Sequence, residues 1–306
     1  MRNRFAQVFY DLARADTLLN LVVADISPAG SIEKFRKEFP NRFVNTGVAE
    51  QIMIGIAAGM AQRGLKPFVY TIATFALYRP FEFIRVDLCY QDLPVTIVGI
   101  GGGLTYSTLG ATHHAQEDIA VASTLPNLNI IAPCDPDEVE EAVRWCATDR
   151  KSGPIYLRLG KAGEPNLTSN SLEPWSFGKI RLVKKGSGIA IFSYGTIARL
   201  ATVVNEKLSL EGVESSLYFV STLKPLDYRR IDSIFEMYSQ IVIVEEHINF
   251  GGLSQAIKVY AQEKSWGGKV FSFSLPNSFS HSYSSHDDIL KSVGLSSENI
   301  LFHLRP

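Results

Sequence analysis

Sulfur is scarce in this sequence, which has three cysteines and four methionines in 306 residues. Cys89, Cys134 and Cys146 lack metal-ligand spacing and cannot all pair, which argues against a disulfide scaffold or a cysteine metal site. They read as reduced, structural thiols of a cytoplasmic protein. An excess of either charge is missing as well. Thirty basic residues stand against 31 acidic ones, a formal net charge of −1, so nothing argues for nucleic-acid binding. No apolar run approaches the roughly 18 residues that cross a bilayer, and no membrane partner is expected. Arg2 and Arg4 open the chain, but Gln7, Asp11, Arg14 and Asp16 interrupt any apolar leader. The P-loop pattern is absent. The run Gly99–Gly103 lacks the rest of a dinucleotide fingerprint and implies instead a backbone that comes close to a ligand or partner. Internal repeats and low-complexity tracts are lacking too.

What is present is an ordinary globular composition, 46% apolar, in a chain long enough for two domains. Phe5, Val8, Phe9 and Leu12 follow helical spacing and predict a first helix over 3–15. The continuous apolar run 18–26 predicts a strand covered on both faces, ending at Asp25 where open α/β sheets place ligands. Strands at 42–46, 66–72, 95–100, 128–132 and 154–159 then alternate with helices at 48–63, 78–90, 116–123 and 135–149. That order predicts a doubly wound, mainly parallel α/β domain over residues 1–160. Residues 161–178 are rich in Pro, Ser, Asn and Gly without a period and read as a linker. A second α/β domain follows over 179–306. Its strands are expected at 189–194, 215–220, 241–246 and 269–275, its helices at 196–210, 227–238, 252–264 and 286–293.

The chain is organised around Asn45-Thr46-Gly47-Val48-Ala49-Glu50-Gln51 and the small-residue helix after it. Glu50 falls in the first turn of that helix, among nearly all apolar neighbours. A carboxylate there is favoured by the helix dipole. In a dry pocket it also has a raised pKa and can share a proton with a bound base. The residues alone leave both readings open.

The segment TGVAEQIMIGIAAGMAQRGLKPFVYTIATF resembles the pyrimidine-domain signature of transketolases and deoxyxylulose-phosphate synthases. The likeness continues through Thr112-His113 and the stretch Pro154–Gly160. It implies a thiamine-diphosphate pyrimidine-binding fold followed by a transketolase C-terminal domain. It also implies that Glu50 bonds the aminopyrimidine N1′ and drives the cofactor into its imino tautomer, which then deprotonates the thiazolium C2. Phe75, Tyr78 and Phe81, with Val48 and Asp25, are implied to line the cofactor pocket, where an aromatic wall suits a flat ring. His113 is implied as a catalytic and substrate-facing residue that bonds a hydroxyl or moves protons. Arg158, with Lys161 beyond it, is implied to hold a substrate phosphate, and Ser27 to contact it. His113-His114 beside Glu117 and Asp118 lacks the further ligands of a metal site. Glu245-Glu246-His247 and Gly251-Gly252 match the family's second domain, where a part in dimer packing is expected.

Two departures carry information. The family's cation ligands lie in a Gly-Asp-Gly motif of a separate diphosphate-binding domain, and no Gly-Asp-Gly occurs here. The resemblance therefore implies the C-terminal subunit of a split transketolase, active with an N-terminal partner that supplies the Mg²⁺ ligands, as a heterotetramer acting on sugar phosphates. A 2-oxoacid dehydrogenase β-subunit and a non-catalytic relative are the alternatives. The second departure is in the run Ser107-Thr108-Leu109-Gly110-Ala111-Thr112-His113-His114, where Leu109 takes the place of the family's usual hydroxyl-binding aspartate. An apolar side chain there leaves a sugar hydroxyl unpaired, at roughly 1–3 kcal/mol per group. The substrate is therefore expected to lack that hydroxyl or to carry a bulkier or less polar group. Specificity constants for xylulose 5-phosphate and its deoxy or modified analogues, compared in the enzyme assembled with its partner, test this. The analogues should win, and Leu109→Asp should restore the ordinary ketose phosphate.

Overall fold

The computed structural model describes residues 1–26, 30–148 and 153–304; Ser27 lies outside them. Two mainly parallel sheets form its frame. The first is built from β1 (Leu19–Val23), β2 (Phe43–Asn45), β3 (Lys66–Ile72), β4 (Thr96–Ile100), β5 (Asn129–Ile131) and β6 (Ile155–Leu159). The second contains β7 (Arg181–Lys184), β8 (Ile189–Ser193) and β9 (Ser215–Phe219). After β10 (Thr222–Lys224), β11 (Gln240–Ile248) and β12 (Lys269–Leu275) complete it. The strand orders are β10-β5-β6-β4-β3-β1-β2 and β12-β11-β8-β9-β7. β10 belongs to the first sheet although the chain reaches it late. It pairs antiparallel with β5, as β7 does with β9.

Alternation along the buried strands sorts side chains to two faces. Leu21, Val23, Phe68, Tyr70, Val98 and Leu157 meet Phe5 and Phe9 of the Arg2–Ala15 helix and Val139 and Val143 of the Pro136–Cys146 helix. Val22, Val69, Ile97 and Tyr156 face the other way, toward Met53, Ile54 and Ala57 of the Glu50–Gln62 helix. A third cluster fills the second domain between its sheet and the helices Ala198–Leu210 and Ser297–Leu304.

One expectation needs correction. The helix expected over 78–90 is preceded by a separate helical turn at Ala73–Leu77, and Pro80 breaks the helical bonding between the two. Beyond it the chain resumes at Phe81–Phe83 and winds as a wider π-helix over Ile84–Tyr90. Helices at Ser31–Glu38 and Ser297–Leu304, and strands β7 and β10, are additional to the sequence reading. The 161–178 segment, read as a linker, is held against the first domain. Leu167 and Thr168 donate backbone N–H groups to Asp135, each at 2.7 Å, and Phe177 stacks on Trp145 at 3.8 Å between centroids.

The second domain grips the first through β11. Glu245, Glu246 and His247 are buried within this one chain. That burial gives these three side chains internal contacts within the chain. Glu245 accepts from the N–H groups of Leu253 and Ser254 and from the Tyr194 hydroxyl, holding the start of the Leu253–Glu263 helix. His247 Nε2 accepts from Ala120 N–H at 3.2 Å in the first domain. Glu246 accepts from Leu104 N–H at 2.6 Å and lies 2.7 Å from His286 Nε2.

Burial pushes the His286 pKa down, but the Glu246 charge outweighs it and leaves the imidazole above its ordinary value. Asp287 adds to that rise and Arg199 works against it. A histidine raised on folding contributes stability that is complete below its unfolded pKa and lost as pH rises through the folded one. Chemical denaturation of the wild type and His286→Asn from about pH 6 to about pH 9 tests this. The wild type's advantage should shrink as pH rises. A pH-independent difference would remove the charged pair from the junction.

Candidate active site

The turn from β2 into the Glu50–Gln62 helix is set by short-range polar bonds. Asn45 Oδ1 accepts from Asp25 N–H at 3.1 Å and Gly47 N–H at 3.0 Å, and Thr46 N–H donates to Val23 O at 2.9 Å. These bonds lock the ends of β1 and β2 together and aim the helix start. The helix has no side-chain cap, since Ala49 stands at that position. Glu50, its first residue, points its carboxylate inward and is 2% exposed. The helix dipole favours a negative charge at this end.

Arg79 approaches Glu50 from the solvent side. Its Nη1 donates to Oε1 at 3.0 Å and Oε2 at 3.1 Å, while the Arg79 side chain is 44% exposed. The same guanidinium lies over the Phe75 ring, 4.4 Å from its centroid. Phe75 meets His113 edge-on at 5.2 Å, and His113 meets Tyr106 at 6.0 Å. Lys161 Nζ stands 5.3 Å from the Tyr106 centroid. The Tyr106 carbonyl accepts from Leu109 N–H at 2.9 Å, closing the turn that presents Leu109 to solvent, 48% exposed. Thr74 Oγ1 bonds the Thr112 carbonyl at 3.1 Å, fixing the His113 segment to the Phe75 helix. Burial lowers the His113 pKa and favours the neutral imidazole, one nitrogen of which lies 2.9 Å from Thr112 Oγ1.

A chain of contacts thus runs from Glu50 through Arg79, Phe75, His113 and Tyr106 to Lys161, with Leu109 on the turn that begins at Tyr106. Arg79 and Tyr106 belong to it and were missing from the sequence reading. An aromatic and an arginine four residues apart, Phe75 and Arg79, share one side of a helical turn, and that spacing is the signal that could have found the pair. Val48 is exposed just before the helix. Asp25 is exposed with φ +40, its N–H taken by Asn45. Phe81 is half-buried against the core. Tyr78 turns inward: burial, followed by the nearby carboxylates of Asp118 and Glu117, pushes its phenol well up.

Arg158 departs most from expectation. Its side chain is 3% exposed, and Nε donates to the fully buried Asp118 at 2.8 Å. Nη2 donates to the carbonyls of Ala115 and Glu246 at 3.3 and 3.1 Å. The Tyr156 hydroxyl shares the same Asp118 oxygen at 2.8 Å. β6 lies between β5 and β4, and the second domain covers its C-terminal end. The arginine is therefore almost wholly enclosed and ties the two domains together. Among the described residues, no group of three His, Cys, Asp or Glu side chains is placed to hold a metal ion.

Residues 1–164 match the transketolase pyrimidine-binding domain and residues 178–300 the transketolase C-terminal domain. The chain belongs to the transketolase family. It is 35% identical over 256 residues to an apulose-4-phosphate transketolase subunit of Phocaeicola vulgatus, covering 84% of this chain and 81% of that one. It is 30% identical over 297 residues to 1-deoxy-D-xylulose-5-phosphate synthase of Clostridium perfringens, covering 97% of this chain but 47% of the synthase. A solved structure of a split-gene transketolase, an inactive beta4 tetramer, superposes with a TM-score of 0.85 at 28% identity. That match covers 98% of this chain and 95% of the other. At the level of the family, the activity is that of a thiamine-diphosphate-dependent transferase.

The residues present fit that cofactor on their own terms. Glu50 offers a buried carboxylate acceptor beside the aromatic face of Phe75, and a planar N–H donor, the Arg79 guanidinium, already engages both. A planar aminopyrimidine has the same complementarity, a flat face and polar nitrogen at its edge.

The buried Arg158 yields a test that separates strut from phosphate ligand. Arg158→Met leaves Asp118 charged and without its cation, which costs about 3–5 kcal/mol of folding stability. Denaturation of the purified variant measures this. Unchanged stability together with a raised KM would return Arg158 to the substrate site.

Proposed function

We propose that this chain is the C-terminal subunit of a split transketolase, moving a two-carbon ketol unit between sugar phosphates once a companion chain completes the site. The observation that carries this reading is the buried Glu50 carboxylate at a helix start, shared with the Arg79 that lies over Phe75. Bound thiamine diphosphate would supply the carbanion chemistry that ketol transfer requires. In this chain, Glu50 would hold a proton at the pyrimidine edge, and its burial keeps water from competing for that bond. Phe75 gives a flat apolar contact. Arg79 is half in solvent and can leave the carboxylate without stranding a buried charge. His113, held neutral by burial, would bond a substrate hydroxyl or relay a proton. Lys161, exposed beside Tyr106, takes over the anion-binding role that Arg158 is too deeply placed to fill.

The partner is inferred from chemistry and coverage together. Mg²⁺ bridging a diphosphate requires hard oxygen ligands. Their family motif is lacking here, and the chain spans about half of the full-length synthase. We assign those ligands to an N-terminal subunit, in an assembly of two chains of each kind. Relatives named for apulose 4-phosphate support a sugar phosphate as substrate, and Leu109 favours one with less polar character at that position. Three buried cysteines, none of them in a disulfide, support a reducing, cytoplasmic setting. No helix among the described residues is long and apolar enough to cross a membrane.

A second reading has one observation in its favour: if Arg79 never releases Glu50, the chain is a non-catalytic scaffold. Calorimetry and turnover decide between them in the chain co-expressed with its companion. Thiamine diphosphate should bind the assembly and bind the single chain poorly. Glu50→Gln should fold normally and lose turnover by about 10²–10³. More than a tenth of the activity left in Glu50→Gln would overturn the catalytic reading.

A further inference from the structure

Between β4 and the Asp118–Ser123 helix, the chain makes a loop closed at its base by a two-bond bridge. Gly103 N–H donates to Ala115 O and Ala115 N–H to Gly103 O, both at 2.9 Å. Residues 104–109 inside it form consecutive turns with no strand or long helix to define them. Tyr106, Leu109 and His113 all project from this loop. Leu104 and Tyr106 are buried in the two cores and anchor the first half of the loop, whereas its tip at Leu109 is exposed and has no such anchor.

The second domain touches the loop at two glycines. At its base, Gly103 has φ +67, and a Cβ built there would stand 2.5–2.7 Å from the Glu246 carboxylate. That carboxylate also accepts the Leu104 N–H. At its tip, Gly110 has φ +76, and its built Cβ would meet the Tyr283 ring at 2.8 Å and its hydroxyl oxygen at 3.1 Å. Tyr283 thus lies flush on the backbone between Leu109 and the Ala111–His113 turn, in contact that only a glycine permits. Tyr283 belongs to the segment between β12 and the His286–Ser292 helix. Three residues on, His286 bonds Glu246. One short stretch of the second domain therefore holds the base of the loop through His286 and Glu246, and its tip through Tyr283.

Tyr283 is 71% exposed, far more than an aromatic recruited for core packing. Its burial against Gly110 is small, so its contribution to global stability is small too. What it restricts is the direction in which the tip, and with it Leu109, can move.

We propose that Tyr283 is a positioning residue for the substrate site, by which the C-terminal domain sets the placement of Leu109 and the approach to His113. This rests on the reading of Leu109 and His113 as substrate-facing. The ring edge makes the nearest contact, and the hydroxyl, which also touches Gly110, makes no hydrogen bond, so Phe should largely replace Tyr283 and Ala should not.

The test uses two readouts. Hydrogen exchange on the full chain should show faster exchange across residues 104–113 in Tyr283→Ala. The turn at 45–50 should stay unchanged, and Tyr283→Phe should behave as wild type. In the co-expressed enzyme, with D-xylulose 5-phosphate as donor, Tyr283→Ala should raise KM by about fivefold or more with kcat within about twofold, and Tyr283→Phe should restore both. Unchanged exchange in Tyr283→Ala overturns the proposal, as does changed exchange with an unchanged KM. A wild-type assembly that turns over neither D-xylulose 5-phosphate nor its deoxy or modified analogues, while exchange responds as expected, overturns the functional reading and upholds the contact.

Discussion

A buried arginine is expensive unless every donor finds an acceptor, and Arg158 is the constraint around which this molecule is joined. Its partners are the Asp118 carboxylate and the carbonyls of Ala115 and Glu246. These come from the helix after the substrate loop, from the loop's closing bridge and from the second domain's longest strand. Satisfying one guanidinium therefore fixes three elements at once. The same device recurs with carboxylates. Asp135 gathers N–H groups from Leu167, Thr168 and Glu138, and Glu138 accepts from Cys134 N–H, Ser221 and Arg181. The boundary between the domains is thus held by buried charges on backbone donors and acceptors. Such bonds are directional, and leaving one unmade costs more than making it gains.

This polar boundary explains what the sequence allowed to be read and what it hid. Alternating strands and helices and Glu50 at a helix start were legible, because local pattern and motif carry them. Arg158 was misread because its fate depends on the sheet order and on a covering domain, neither of which leaves a local signal. A strand-end arginine looks the same whether the next layer is water or protein. β10 was hidden for the same reason: a three-residue strand of the second half pairs with β5 at the edge of the first sheet. Arg79 was overlooked because an exposed arginine on a helix usually means only a solvated face. The Ser31–Glu38 helix could have been found, since Ile32 and Phe35 carry helical spacing and both are fully buried.

Interior and site charges are handled differently, and the difference bears on function. Arg158 and Asp118 are both buried, so neither can change partner without exposing a charge to a low-dielectric interior. In the Glu50–Arg79 pair only the acid is buried. The cation can return to water at little cost, since exposed charges are well solvated and screened. A rigid acceptor with a replaceable partner is what a site needs when the incoming group must take the partner's place.

The parts proposed for chemistry and for selection also stand on different supports. Glu50 and Phe75 sit on helical turns packed against the first sheet, where a shift would disturb the core. Leu109 and His113 lie on a loop with little regular structure, held by contacts from the second domain at Gly103 and Gly110. Under the proposed reading, substitutions in that loop, or in the segment that holds it, would alter which sugar is accepted without moving the carboxylate. Relatives named for apulose 4-phosphate and for deoxyxylulose 5-phosphate synthesis share this chain's domains. A fixed carboxylate with a separately held loop gives a physical route by which one scaffold serves both.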